Sequence, residues 1–123
     1  MSKSEHRFMT EAREMIREVA RDFTINEVLP VANELDPIQG DIPASLRDKL
    51  AAMGYFGIRI PEEYGGSGLG CFEYCLIAEQ LARGWMSVAS LIARGNGTLM
   101  YDLLNSDQRA QIMPKVATGD YLA

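Results

Sequence analysis

Apolar residues recur at steps of three and four near the start of the chain, which predicts an amphipathic helix over Phe8 to Phe23. Charged residues cover the opposite face of this helix, as is typical of a face in contact with water. Pro30 is expected to end or kink the helix, because proline lacks an amide donor and its ring clashes with the preceding turn. One more turn over Val31 to Leu35 is expected to stop at Asp36-Pro37.

The middle of the chain predicts three more helices. One begins at Pro43 and is followed by Gly54, which suits a left-handed cap on which Tyr55 folds back. The helix from Cys71 to Arg83 is apolar around most of its circumference, so we expect it to be central. A third long helix is predicted over Val88 to Leu104.

The last predicted helix has Ser106 as its N-cap, a kink at Pro114 and an end at Thr118-Gly119-Asp120. Only the short run from Phe56 to Ile60 resembles a strand. The fold class is therefore all-α: a single domain over residues 1–123, built as an irregular bundle of five or six helices with a Gly/Pro-rich loop at about 54–70.

Six of the seventeen residues in the 54–70 loop are glycine, which invites comparison with phosphate-binding loops. A Walker loop requires Lys and Ser or Thr where this chain has Cys71-Phe72. A dinucleotide fingerprint requires glycine at 71 after Gly66 and Gly68, within a βαβ unit that the chain lacks. The glycines are thus expected to shape the backbone rather than to bind a nucleotide.

Composition narrows the function classes. The chain has 123 residues, 47% of them apolar and 24% charged, as in ordinary globular domains. A net charge of −5 argues against a nucleic-acid surface, which requires clustered Lys and Arg. No apolar run approaches the ~18–20 residues that span a bilayer. The expected compartment is the cytoplasm.

The residues with reactive side chains do not assemble into an active site. Cys71 and Cys75, four apart on one helix, are expected to be core thiols, although that spacing also permits a strained disulfide. His6 is the only histidine, which argues against a tetrahedral metal site. Glu79 is the acidic residue for which we expect partial burial, as a paired structural carboxylate. No catalytic residue is assigned.

One face of the helix over Val88 to Leu104 carries small residues at four-residue steps, namely Ala89, Ala93 and Gly97. Gly95 and Gly97 inside a helix each cost about 1 kcal/mol relative to alanine. Close helix packing or space for a ligand must offset that cost, and close packing is the favoured interpretation.

Four segments, in this order, carry a resemblance to a known family. They are Leu46-x-x-x-Leu50-x-x-Met53-Gly54-Tyr55-Phe56-Gly57-Ile58, then Ile60-Pro61-Glu62-Glu63-Tyr64-Gly65-Gly66-Ser67-Gly68-Leu69, then Ala78-Glu79-Gln80-Leu81-Ala82-Arg83, and finally Gln108 with Met113-Pro114-Lys115-Val116-Ala117-Thr118-Gly119-Asp120. From about Phe8 to Tyr121 the chain resembles the N-terminal α-helical domain of the acyl-CoA dehydrogenases, flavoenzymes that desaturate acyl-CoA thioesters between Cα and Cβ.

The resemblance implies that flavin binding and catalysis depend on domains other than this one. In the family a flavin-binding β-domain and a C-terminal helical bundle follow this domain, and the catalytic glutamate lies in that bundle or an equivalent position. No position of this chain matches the main FAD contacts or the catalytic base, so cofactor-binding residues are not assigned. We expect FAD in a full-length enzyme but not on this chain alone. The resemblance also implies acyl-CoA as substrate and a homo-oligomer, since family members are often tetramers.

The same resemblance assigns candidate substrate-binding residues. In similar enzymes the helix after the Glu-x-Leu-Ala-Arg stretch contributes side chains to the far end of the acyl pocket. The matching positions are Ala89, Ser90, Ala93 and Gly97, whose small side chains imply room for a longer or branched acyl group. Two alternatives stay open: a free-standing helical interaction module that has lost the chemistry, and a small acyl-CoA or lipid binder.

Overall fold

The computed structural model describes residues 7–96 and 99–122, with the side chains of residues 99 and 100 excepted. Over this part the chain is helical and contains no strand, which confirms the all-α prediction. No helix in the same part is both long and apolar enough to cross a membrane. The helices are α1 Glu11–Phe23, α2 Leu29–Leu35, α3 Ala44–Ala52, α4 Cys71–Gly84, α5 Met86–Asn96, α6 Leu99–Leu103 and α7 Ser106–Ala117.

A π-helical turn, Thr24–Val28, connects α1 to α2 and accommodates Pro30. In this turn the amide of Leu29 donates to the carbonyl of Thr24, five residues back. Single π-helical turns are a usual way for a helix to absorb a local irregularity. Pro30 therefore does not end the helical path, which continues to Leu35.

The buried core brings together α3, the start of the 54–70 loop, α4 and α5. Wholly or nearly wholly buried side chains come from each of these segments: Leu46, Leu50, Phe56, Ile58, Leu81, Val88 and Ile92. Two loop residues are thus among the most buried in the molecule. Gly84 permits close packing of α4 on the π-helical turn, because a Cβ on Gly84 would lie 2.5 Å from Cγ2 of Thr24.

The cap of α3 has the predicted form. Gly54 adopts φ +77°, in the left-handed region that favours glycine. The amide of Tyr55 donates to the carbonyl of Leu50 at 3.1 Å, and that of Gly54 to Ala51 at 2.9 Å. This pair of bonds is the Schellman motif, and it turns the chain sharply into the 54–70 loop.

Helix α7 begins one residue earlier than predicted, with Asn105 rather than Ser106 as its N-cap. Oδ1 of Asn105 accepts from the amide of Gln108 at 2.9 Å, and Oε1 of Gln108 accepts from the amide of Asn105 at 3.0 Å. Asparagine caps as well as serine, and only Asn105 has the glutamine three residues later that a capping box requires. The helix continues through Pro114 and ends at Ala117.

The long helix predicted over Val88 to Leu104 is divided. Helix α5 ends at Asn96 and α6 begins at Leu99. Gly97 lies outside the described residues.

Three predictions about α4 were wrong, since Cys71, Cys75 and Glu79 are all exposed. The two cysteines are free thiols. The buried stripe of α4 consists of Leu76, Ile77, Gln80 and Leu81. Residues 71, 75 and 79 follow one another at four-residue steps on the opposite side, so the helical register decides their exposure.

Candidate functional site

The 54–70 loop folds back on itself and forms a rigid platform beside α5. The amides of Ser67, Gly68 and Leu69 donate to carbonyls of the 57–60 segment, each at 2.9 Å. Gly66 lies so close to this segment that a Cβ would come within 2.0 Å of the carbonyl oxygen of Ile60. Glycine is thus required here by close backbone approach, as the sequence predicted.

Asn96, at the end of α5, fixes the platform to that helix. Its Nδ2 donates to the carbonyls of Tyr55 at 2.7 Å and of Ile92 at 2.9 Å. Its Oδ1 accepts from the amide of Arg59 at 3.1 Å. The side chain is 3% exposed, so these bonds satisfy polar groups that water does not reach.

A carboxylate of the chain itself lies at the amino end of α4. Oε2 of Glu73 accepts from the amide of Gly70 at 3.1 Å, and Oε1 accepts from Nε of Arg13 at 2.8 Å. The hydrogen bond from Arg13 is the main cause that lowers the pKa of Glu73 below its ordinary value. Glu73 therefore occupies the helix end at which a phosphate-binding loop would hold its anion.

One groove, which we call the arginine groove, has a volume of about 520 Å³. It lies between the 40–47 segment, the first three turns of α5 and the end of the chain near Leu122. Its walls combine charged, hydroxyl-bearing and apolar side chains: Asp41, Arg47, Ser87, Ser90, Arg94, Trp85, Leu91 and Leu122. Such a groove suits a ligand with an apolar stem and an anionic end.

A second groove, which we call the α1 groove, has a volume of about 400 Å³ and an almost wholly apolar lining. Met15 and Val19 of α1 line it, together with Met53 at the end of α3 and Leu69 of the platform. Tyr55 contributes to its wall. Among the described residues, the hydroxyl of Tyr55 is the one buried polar side-chain atom that has no hydrogen-bond partner. Burial raises the pKa of Tyr55 to about 12.

The structure separates the predicted substrate-binding residues. Ser90 lines the arginine groove, whereas Ala89 is 8% exposed and packs in the core. Ala93 is exposed and lies outside both grooves. Gly97 falls outside the described residues. Their role in substrate binding therefore stays a prediction.

Sequence reasoning missed the two arginines of the groove. Arg94 follows Ser90 by four residues, so helical spacing alone places both on one face of α5. Arg47 is on α3, distant in sequence from α5, and only the tertiary fold brings it to the same groove. Among the described residues no three His, Cys, Asp or Glu side chains group as a metal site would require.

Comparison with known proteins identifies the family. The model of the acyl-CoA dehydrogenase N-terminal domain matches residues 10–120. The chain is 36% identical to (2S)-methylsuccinyl-CoA dehydrogenase of Cereibacter sphaeroides over 93% of this chain and 21% of that protein. It is 35% identical to benzylmalonyl-CoA dehydrogenase of Aromatoleum aromaticum over 91% of this chain and 30% of that protein.

A solved structure gives the same result. An acyl-CoA dehydrogenase complexed with FAD from Bacillus anthracis superimposes with a TM-score of 0.80 at 32% identity, covering 94% of this chain and 20% of that one. The chain thus spans between a fifth and a third of the length of these relatives. By sequence and by fold, the chain belongs to the acyl-CoA dehydrogenase family, in which it corresponds to the N-terminal helical domain.

Proposed function

We propose that the chain is the helical N-terminal part of an FAD-dependent acyl-CoA dehydrogenase, which desaturates acyl-CoA thioesters between Cα and Cβ. The observation that carries this proposal is the platform at residues 54–70 and its attachment to α5 through Asn96. This platform contains the Pro-Glu-Glu-Tyr-Gly-Gly-Ser-Gly-Leu run, the most specific mark of the family in the chain. In the proposed enzyme the domain walls the acyl pocket and supports the subunit.

The described residues do not fit FAD by themselves. The amino end of α4 holds the Glu73 carboxylate where a phosphate-binding loop would hold its anion. We therefore assign the flavin contacts and the catalytic base to domains outside this chain. Inactivity of the isolated chain is the corresponding expectation.

Exposed apolar side chains support a role as one part of a larger protein. Met15 and Val19 of α1 are 62% and 46% exposed, and Met53 and Leu69, which line the same α1 groove, are 38% and 37% exposed. Apolar surface of this kind is typical of faces that meet other domains or subunits. The proposal includes a homo-oligomer on this ground and by likeness to the family.

The substrate of the proposed enzyme is an acyl-CoA. Two relatives are named for methylsuccinyl-CoA and benzylmalonyl-CoA, both of which are thioesters of dicarboxylic acids. The names of these relatives support a substrate of the same class for the proposed enzyme. In that enzyme, α5 forms the wall nearest to the end of the acyl group.

The apolar α1 groove favours one alternative, a small acyl-CoA or lipid binder that uses this fold without the chemistry. Absorption spectroscopy distinguishes the part of a dehydrogenase from the lipid binder. The purified 123-residue chain, mixed with FAD and desalted, should be colourless and inactive towards acyl-CoA. Retention of FAD in equal molar amount would overturn the assignment of the flavin site to other domains. Acyl-CoA binding by the isolated chain, with loss of affinity on Met15→Lys, would favour the lipid binder.

A further inference from the structure

We propose that Cys71 and Cys75 form a two-thiol site that binds an organic compound of trivalent arsenic, with the arsenic atom bonded to both sulfur atoms. The inference does not depend on the proposed function, because it concerns only the side of α4 opposite the core. It arises from the spacing and the exposure of the two thiols.

Both thiols are accessible from the same side of α4. Cys71 and Cys75 are exposed and free, and they are the only cysteines of the chain. Cys71 is the first residue of α4, and Cys75 follows it by one turn. Residues four apart on a helix project from the same face, so the two sulfur atoms are neighbours.

The first turn of α4 is held in its helical form. The carboxylate of Glu73, between the two cysteines in sequence, accepts from the amide of Gly70 at 3.1 Å and from Nε of Arg13 at 2.8 Å. The amide of Tyr74 donates to the carbonyl of Gly70 at 3.1 Å. These bonds cap α4 and attach its first turn to α1, so the folded helix sets the distance between the thiols.

This distance suits a bridge through arsenic better than a disulfide. The Cβ atoms of helical residues four apart lie about 5–6 Å from each other. A disulfide requires Cβ atoms about 3.5–4.5 Å apart, so its closure would unwind the first turn of α4. A bridge of sulfur, arsenic and sulfur is one atom longer and spans the pair on the intact helix.

The number of ligands also favours arsenic. Thiolates are soft ligands and prefer soft ions. A structural zinc ion takes four protein ligands, whereas no three His, Cys, Asp or Glu side chains group suitably among the residues that the structure describes. An arsenic atom that keeps one carbon substituent needs only two sulfur ligands, which is the number that α4 presents.

Phenylarsine oxide is the probe, because its arsenic carries one phenyl group. In the reaction each sulfur forms one bond to arsenic, and the bonds between arsenic and oxygen break. The oxygen leaves as water with the two thiol protons. Arsenic stays trivalent and the sulfur atoms are not oxidised, so the reaction requires no oxidant.

The 123-residue chain should form an adduct with one phenylarsine group, seen by intact mass, and one equivalent should remove both thiols from reaction with a chromogenic disulfide. Competition with a small dithiol measures the dissociation constant. Cys71→Ala and Cys75→Ala should each raise it at least about 100-fold, because the second sulfur otherwise binds within the same molecule.

A double variant, Cys75→Ala with Glu79→Cys, is the matched control. It keeps two thiols at exposed positions on the same side of α4. They lie two turns apart, a separation of about 12 Å along the helix, which one arsenic atom cannot bridge. The double variant should bind phenylarsine oxide as weakly as the single variants do. Circular dichroism of each variant verifies that the helices are formed.

Three results would overturn the inference. The first is parental affinity in either single variant, and the second is parental affinity in the double variant, which would show that helical spacing does not select the pair. The third is ready closure of a disulfide between Cys71 and Cys75 in oxidised glutathione, seen as the loss of two hydrogen atoms by mass, since the intact helix would not permit it.

Discussion

Gly95 of α5 lies directly against the backbone of Phe56: a Cβ on Gly95 would come within 2.6 Å of the Phe56 carbonyl oxygen. The next residue, Asn96, bonds to the backbone on both sides of Phe56, at Tyr55 and Arg59. The end of α5 and the start of the platform therefore form one rigid unit. This contact explains why a glycine occurs inside a helix, where it would otherwise be unfavourable.

Replacement of Gly95 by alanine should destabilise the chain by about 1 to 3 kcal/mol, because overpacking against backbone outweighs the helix propensity gained. Chemical denaturation measures the change. Gly70→Ala is the matched control, since Gly70 has φ −99° and its nearest contact is the flexible end of Glu73 at 3.3 Å. The control should lose less than about 1 kcal/mol. Equal losses of unfolding free energy in the two variants would contradict the close contact between Gly95 and Phe56.

Removal of the Asn96 side chain should also destabilise the chain. Asn96→Ala leaves the Tyr55 carbonyl and the Arg59 amide without their bonds, at a cost of about 1 to 3 kcal/mol. Asn33→Ala, at an exposed asparagine of α2, should change stability by no more than about 0.5 kcal/mol. Urea denaturation of both variants compares the two sites. A stability change at Asn96 as small as that at Asn33 would show that the bonds contribute nothing.

Glu73 predicts a pH dependence of stability. Its pKa is lowered in the folded chain, chiefly by the hydrogen bond from Arg13, so the ionised carboxylate stabilises the fold. This contribution is fully present above the ordinary glutamate pKa of about 4.3 and is lost as the pH falls through the lower folded value. Glu73→Gln should therefore be less stable than the parent at neutral pH, and the difference should close in acid. Melting curves of both proteins across this pH range measure the difference in stability. A difference that stays constant with pH would contradict the stabilising role of the ionised Glu73 carboxylate.

The platform and the major helices could be predicted from sequence because their signals are local. These signals act through backbone geometry and burial. They are the glycine at 54, the family run at 61–69 and the apolar periods of α1 and α4. The exposure of Cys71 and Cys75 could not be predicted from residue type, since it depends on which side of α4 meets α1 and α5. The arginine groove was missed for the same reason, because α3 and α5 are distant in sequence.

The candidate acyl-pocket residues give a prediction about the complete enzyme. Ala93→Phe should shift its preference towards short acyl-CoAs, because a large side chain on this part of α5 would fill the far end of the pocket. The ratio of kcat/KM for long and short acyl-CoAs measures the shift. Ala44→Phe, at an exposed alanine of α3, is the control. Unchanged chain-length selectivity in Ala93→Phe would reject the role assigned to this residue.

The proposal that this chain is part of an acyl-CoA dehydrogenase can be tested by the absorption spectrum of the protein purified from the cells that express it, before and after anaerobic addition of an acyl-CoA. We predict a polypeptide longer than 123 residues that contains this domain, carries the yellow flavin absorbance and loses it when the acyl-CoA is added. A colourless protein, or flavin that no acyl-CoA reduces, would contradict the proposal that this chain is part of an acyl-CoA dehydrogenase.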